Sequence, residues 1–175
     1  GVHPGVIARH YSDAAMPEAA APWHERAAAR AMGLRAHDEA LAHLALAGDS
    51  AAIDSARGEV LIRLGRYDEA IAALEAALTT DDLNPGATAA TLHRLADVHD
   101  RLGEWALAQE RLRAAEEALG TSTGPLWARL RTDQALSSYR LGGLSQARAL
   151  AEEVTREATD PAEQARAWNV LGMVA

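Results

Sequence analysis

The chain has 175 residues, 49% of them hydrophobic and 24% charged, with a formal net charge of -8. That is enough chain to bury roughly 70% of its unfolded surface in one ordinary domain, and the acidic balance argues against a general nucleic-acid surface. Cysteine is absent and all 17 basic residues are arginine, which excludes thiol catalysis, Cys-ligated zinc, disulfides, a P-loop or Schiff-base lysine and a Ser-x-x-Lys pair within these residues.

Alanine is abundant, phenylalanine is missing and aromatics make up 4%. This mix favours helix and leaves strands little to pack with, so the chain reads as all-α. No apolar run approaches the ~20 residues that span a bilayer, and the N-terminus lacks a signal-peptide pattern, so no membrane partner is expected. The missing cysteines are compatible with a cytoplasmic location, which is the expectation. The chain starts and stops abruptly, which reads as a piece excised from something longer.

In chain order, a short helix is expected from Pro4, with Val6, Ile7 and Tyr11 on one face, and a second from about Glu18 to Met32, opened by Pro17. Gly33 is read as its interruption. His37, Ala40, Leu44 and Ala47 mark a third helix, and Ser50 caps a fourth. Gly65 ends that helix, and a fifth follows with Tyr67, Ala70, Leu74 and Ala77 on one face. Asn84 caps a helix that begins at Pro85. Gly103 then turns the chain into a helix bearing Trp105, Ala108, Leu112 and Ala115. After the connector at residues 120–125, the helix from Leu126 runs to Leu141. Gly142 turns it into one carrying Leu144, Ala147, Ala151 and Val154. Asp160 and Glu163 have the spacing of a capping box that opens a last helix with Trp168, Leu171 and Gly172.

The spacing is periodic: Gly65 to Gly103 is 38 residues and Gly103 to Gly142 is 39, while Pro85, Pro125 and Pro161 each open the first helix of a pair. Such periods indicate an α-solenoid. The expected fold is therefore a right-handed α-solenoid of antiparallel helix pairs with about nine to ten helices. Residues 1–48 hold N-terminal helices and a degenerate first pair, with arginine where the turn glycine should stand. Repeats follow at 49–83, 84–122 and 123–159, with a half repeat at 160–175.

These residues resemble tetratricopeptide repeats. The second-helix half of that motif matches at Gly65, Tyr67, Ala70, Leu74 and Ala77, and again at Gly103, Trp105, Ala108, Leu112 and Ala115. It matches less completely at Gly142, Leu144, Ala147 and Val154. The first-helix half is best at Trp168, Leu171 and Gly172, and partial at Leu92, Leu95 and Ala96. The likeness covers residues 22–175, and the period is longer than the family's usual 34. The stretch from His3, with Ile7 to Tyr11 and Ala40 to Leu44, also resembles the segment that joins an ATPase module to helical repeats in large bacterial signal-transducing ATPases. These include LuxR-type regulators and AAA-linked cyclases, and the ATPase, DNA-binding or cyclase parts would lie outside these residues.

The resemblance implies that the first helix of each pair lines a concave binding face. On this chain that face maps to Glu59, His93, Arg94, Asp97, Arg101, Arg129, Asp133, Tyr139, Arg140, Arg166 and Asn169, together with Ser55, Ile62, Leu136 and Met173. Two readings stand: the arginines converge on a partner's carboxylate or phosphate, or they pair with Asp97, Asp133 and neighbouring acids. The family's carboxylate clamp uses lysine, which is missing here.

Other motifs are bland. Gly120 to Gly124 spells Gly-x-Ser-x-Gly, but a nucleophile elbow needs a strand before it, and a helix connector is expected. His37/His43 and His93/His99 are six apart, where metal pairs on a helix want three or four. Asp81/Asp82, Glu116/Glu117 and Glu152/Glu153 read as solvated carboxylates. No catalytic, metal or cofactor-binding residue is assigned. The expected partner is a protein or peptide. A second reading is homo-oligomerisation through an apolar face of the half repeat formed by Trp168, Leu171 and Val174.

Overall fold

The computed structural model describes residues 3–80 and 82–175, so the first two residues and Asp81 lie outside the described residues. Among the described residues there are ten helices and no strands. They are α1 (Pro4–Asp13), α2 (Pro17–Gly33), α3 (His37–Leu46), α4 (Ala51–Arg63), α5 (Tyr67–Leu78), α6 (Pro85–Arg101), α7 (Trp105–Leu119), α8 (Pro125–Arg140), α9 (Leu144–Glu157) and α10 (Pro161–Met173). The chain divides into two compact units, residues 1–83 and 84–175.

The first unit holds α1 to α5, each helix packed on its chain neighbour. Its core gathers Ala28, Ala31, Ala40, Leu44, Ile53 and Val60 around the α2–α3–α4 contact. Ser50 caps α4, its hydroxyl accepting from the Ile53 amide at 3.2 Å, which satisfies one of the orphan donors of the first turn. Gly65 takes the left-handed turn between α4 and α5 at φ 72°, a region that costs glycine little. Gly58 does a different job. A Cβ there would stand 2.4 Å from Cγ of Leu74, so its missing side chain lets α4 and α5 cross closely over a fully buried leucine.

In the degenerate first pair, the turn is carried by Arg35 at φ 59°, with Gly33 still inside α2. The arginine therefore occupies the left-handed position that glycine holds at Gly65, Gly103 and Gly142, a conformation uncommon for a residue with a Cβ. Ala15, at φ 55°, does the same between α1 and α2.

The second unit holds α6 to α10. Asn84 Oδ1 accepts from the Ala87 amide at 3.0 Å, and Pro85, Pro125 and Pro161 each sit in a first turn, where no amide hydrogen is missed. Ala108, Leu112 and Ala115 of α7 and Ala147, Ala151 and Val154 of α9 are buried, at 2% exposure or less. The first helices also touch one another, α8 packing on both α6 and α10. Gly120 to Gly124 forms the connector between α7 and α8.

The capping box is half present. Asp160 Oδ1 accepts from the Ala162 amide at 2.9 Å, but Glu163 turns away to meet two arginines. Charged partners within reach outcompete a single backbone amide for the carboxylate.

Candidate functional site

The sequence-predicted face falls on α4, α6, α8 and α10. Glu59 lies on α4 in the first unit. His93, Arg94, Asp97 and Arg101 lie on α6, Arg129, Asp133, Tyr139 and Arg140 on α8, and Arg166 and Asn169 on α10. Within the second unit most of these side chains meet. Asp133 stands at the centre: its Oδ2 lies 2.7 Å from His93 Nε2, and its Oδ1 accepts from Arg166. Arg166 also donates to Glu163 at 2.8 Å, and Arg129 reaches the other Glu163 oxygen at 3.3 Å. Arg140 pairs with Asp100, and Arg101 with Asp97 at 3.0 Å.

The energetics follow from burial. Desolvation pushes the Asp133 carboxyl up, but the His93 hydrogen bond and the Arg166 charge outweigh it and hold its pKa below the usual range. Burial likewise works against the Arg166 guanidinium, and the charges of Asp133 and Glu163 more than offset it, so its pKa is raised. Glu163 is only 3% exposed yet faces two guanidinium groups, the pairing a buried carboxylate requires.

A small cleft of about 150 Å³ opens beside this network, bounded by His93, Asp97, Asp100, Asp133 and Arg166. The chemistry of the face is therefore that of internally paired charges. A ligand carboxylate entering here would have to displace Asp133 or Glu163 from Arg166. Tyr139 is half buried and Asn169 exposed, and neither is part of the Asp133 network. Of the further face positions, Ser55 and Ile62 are buried, at 6% each, while Met173 is 44% exposed.

Sequence reasoning missed Glu163 and Asp100. Glu163 carried a capping signal that masked it, and Asp100 stands 40 positions from Arg140, one repeat away. That same 40-residue offset separates His93 from Asp133, so the repeat period was the available signal. Glu116 and Glu153 also depart from the solvated reading, since both approach Arg131, at 2.6 Å and 3.6 Å.

The histidine pairs separate. His43 meets His24 of α2, their Nδ1 atoms 2.9 Å apart, and His99 Nδ1 meets Glu104 at 2.7 Å. His24 is 3% exposed and its Nε2 contacts Ser12 of α1 at 3.2 Å. Burial first, and the neighbouring His43 second, push its pKa down. Among the described residues no group of three histidines or acids is placed to hold a metal ion, and no helix is long and apolar enough to cross a membrane.

In the second unit, antiparallel pairs whose first helices pack side by side have the repeat architecture of α-solenoids. The comparisons agree. The tetratricopeptide repeat family model matches residues 49–121. Repeats of this kind present stacked helix faces to protein partners. Solved structures similar in fold include PilW and TTC0263. PilW, described as a widely conserved type IV pilus biogenesis factor, is 20% identical over 95% of this chain and 82% of its own, with a TM-score of 0.68. TTC0263, a thermophilic TPR protein of Thermus thermophilus, is 19% identical over 96% of this chain and 97% of its own, with a TM-score of 0.66. At these identities the likeness is one of fold. No curated protein matches the chain.

Proposed function

We propose that the chain is a protein-interaction scaffold that holds a peptide segment of a partner and transforms no substrate. The observation that carries this reading is the tetratricopeptide pattern in residues 49–121, joined to helix pairs whose packing is built by Gly58, Ala70, Leu74, Ala108 and Leu112. Residues given over to packing geometry leave the outward helix faces for recognition. The fine reading is the helical-repeat part of a larger bacterial signalling or transcriptional regulator, acting in the cytoplasm. Its support is the resemblance of residues 3–44 to the segment that precedes such repeats.

The test is selection of a random peptide library against the immobilised chain. A scaffold of this kind enriches a related set of sequences that bind in solution with micromolar affinity. A library that enriches nothing contradicts it. Because Arg129 and Arg166 hold Glu163 and Asp133, charge reversal at these arginines would disturb the fold as well as any groove. Variants of exposed residues make the cleaner probes.

A second reading, self-association, draws on α10, where Trp168 is 63% and Met173 44% exposed. The apolar face is smaller than the sequence suggests. Val174 is 8% exposed, Leu171 packs on the core, and Arg148 donates to the Val174 carbonyl at 2.6 Å.

A further inference from the structure

The face rich in arginine is filled by its own acids, whereas the first unit contains an opening that is not filled. Between α2 and α4, above Leu44 of α3, lies a cleft of about 410 Å³. Its floor is the core of that unit: Ala28, Leu44, Ile53 and Val60 are each at most 5% exposed. Its walls are Ala29 and Met32 on one side and Ala52 and Ala56 on the other. The sequence explains the opening. On α6 and α8, buried Leu92, Leu95 and Trp127 fill space, while α2 and α4 present alanines at the cleft. Methyl groups leave room where isobutyl or indole groups would close it.

Two carboxylates stand at the rim. Glu25 on α2 is exposed, and Glu59 stands across from it on α4. The first unit as a whole has 13 acids against seven arginines, the second 12 against ten. An apolar floor beneath an acidic rim suits a chain segment that offers an aliphatic side chain with a cation beside it.

Resting on the scaffold reading, we propose that the α2–α4 cleft is the peptide site. Its ligand is a basic, leucine-bearing segment of a protein partner. The aliphatic group enters between Ala29 and Ala52, and the neighbouring arginine or lysine lies against Glu25. Affinity weakens with salt, because the rim contacts are exposed to solvent.

Fluorescence anisotropy with a labelled octapeptide of alternating leucine and arginine tests this on the full chain. Two controls keep the length: one replaces leucine by alanine, the other arginine by glutamate. Binding of the leucine–arginine peptide at least tenfold tighter than of either control is expected. Ala52→Leu, which fills the cleft from an exposed position, weakens it about tenfold or more, and Glu25→Arg does the same at low salt, with circular dichroism unchanged in both. Failure of the leucine–arginine peptide to bind, or equal binding to wild type and both variants, overturns the proposal. If library selection yields a peptide that ignores Ala52→Leu and Glu25→Arg, the cleft is wrong and the scaffold reading survives. If selection yields nothing and the octapeptide does not bind, both fall.

Discussion

Gly58 on α4 and Leu74 on α5 meet so closely that a methyl group on the glycine would stand 2.4 Å from the Leu74 Cγ atom. The branch point of a buried side chain cannot swing aside as a flexible tip could. Gly58→Ala is therefore expected to cost about 1–3 kcal/mol through overpacking, despite alanine's better helix propensity. Leu74→Ala in the same background should recover part of that loss, a coupling that a double-mutant cycle in urea detects. If Gly58→Ala is neutral or stabilising, α4 and α5 do not cross there.

Ala70 and Ala108 are both 0% exposed and occupy equivalent positions on α5 and α7. Leucine at either crowds a helix crossing and should cost about 1–3 kcal/mol. The two lie in separate units, so their effects on thermal unfolding should add. Melting temperatures unchanged by both substitutions would defeat the hairpin assignment.

The Asp133 carboxyl has a folded pKa below its unfolded value. The unfolded chain thus takes up the proton first as pH falls, and the stability from this group is present above about pH 4 and lost as pH drops through the folded value. Asp133→Asn should cost about 1–3 kcal/mol at pH 7, less than for a fully buried pair because the Arg166 side chain is 42% exposed. It should also flatten the acid limb below pH 4. An unaltered acid limb would show that the His93–Asp133–Arg166 cluster does not form.

His24 has the opposite chemistry and the same sign of pH dependence. Its folded pKa lies below the ordinary value because burial, and then His43, disfavour the imidazolium. The unfolded chain gains the proton first, so stability falls as pH drops from about 6.5 through the folded value. His24→Gln should reduce the difference between melting temperatures at pH 7.5 and pH 5. An undiminished difference would assign it to other groups.

Much of the fold was legible in the sequence because the signals were local. Pro85, Pro125 and Pro161 open helices wherever they stand, and Gly65, Gly103 and Gly142 all take positive φ. The rest depended on neighbours distant in sequence. Arg35 stands where the other pairs have a turn glycine, in a left-handed conformation that is uncommon for a residue with a Cβ. Gly58 has no periodic mark, because its purpose is set by Leu74. The repeat spacing was enough to assign the arginine-rich residues to α6, α8 and α10, but their pairing with Glu163 and Asp100 is a matter of side-chain reach. The α2–α4 cleft escaped notice because runs of alanine read as good helix, whereas their consequence is unfilled space.

Light scattering separates the scaffold from self-association. Trp168 is 63% exposed, so Trp168→Glu should leave stability within about 0.5 kcal/mol. A scaffold that acts through a peptide predicts the same monomer mass for wild type and variant. A wild-type dimer that dissociates in the variant would establish self-association through α10.

The most direct test of peptide binding is calorimetric titration of the full chain with a library-selected peptide. One saturable site is predicted, with a Kd at or below about 100 µM, equivalent to roughly -5.5 kcal/mol, and helix content unchanged on binding. Titration heats that never saturate, from every enriched peptide, would contradict it.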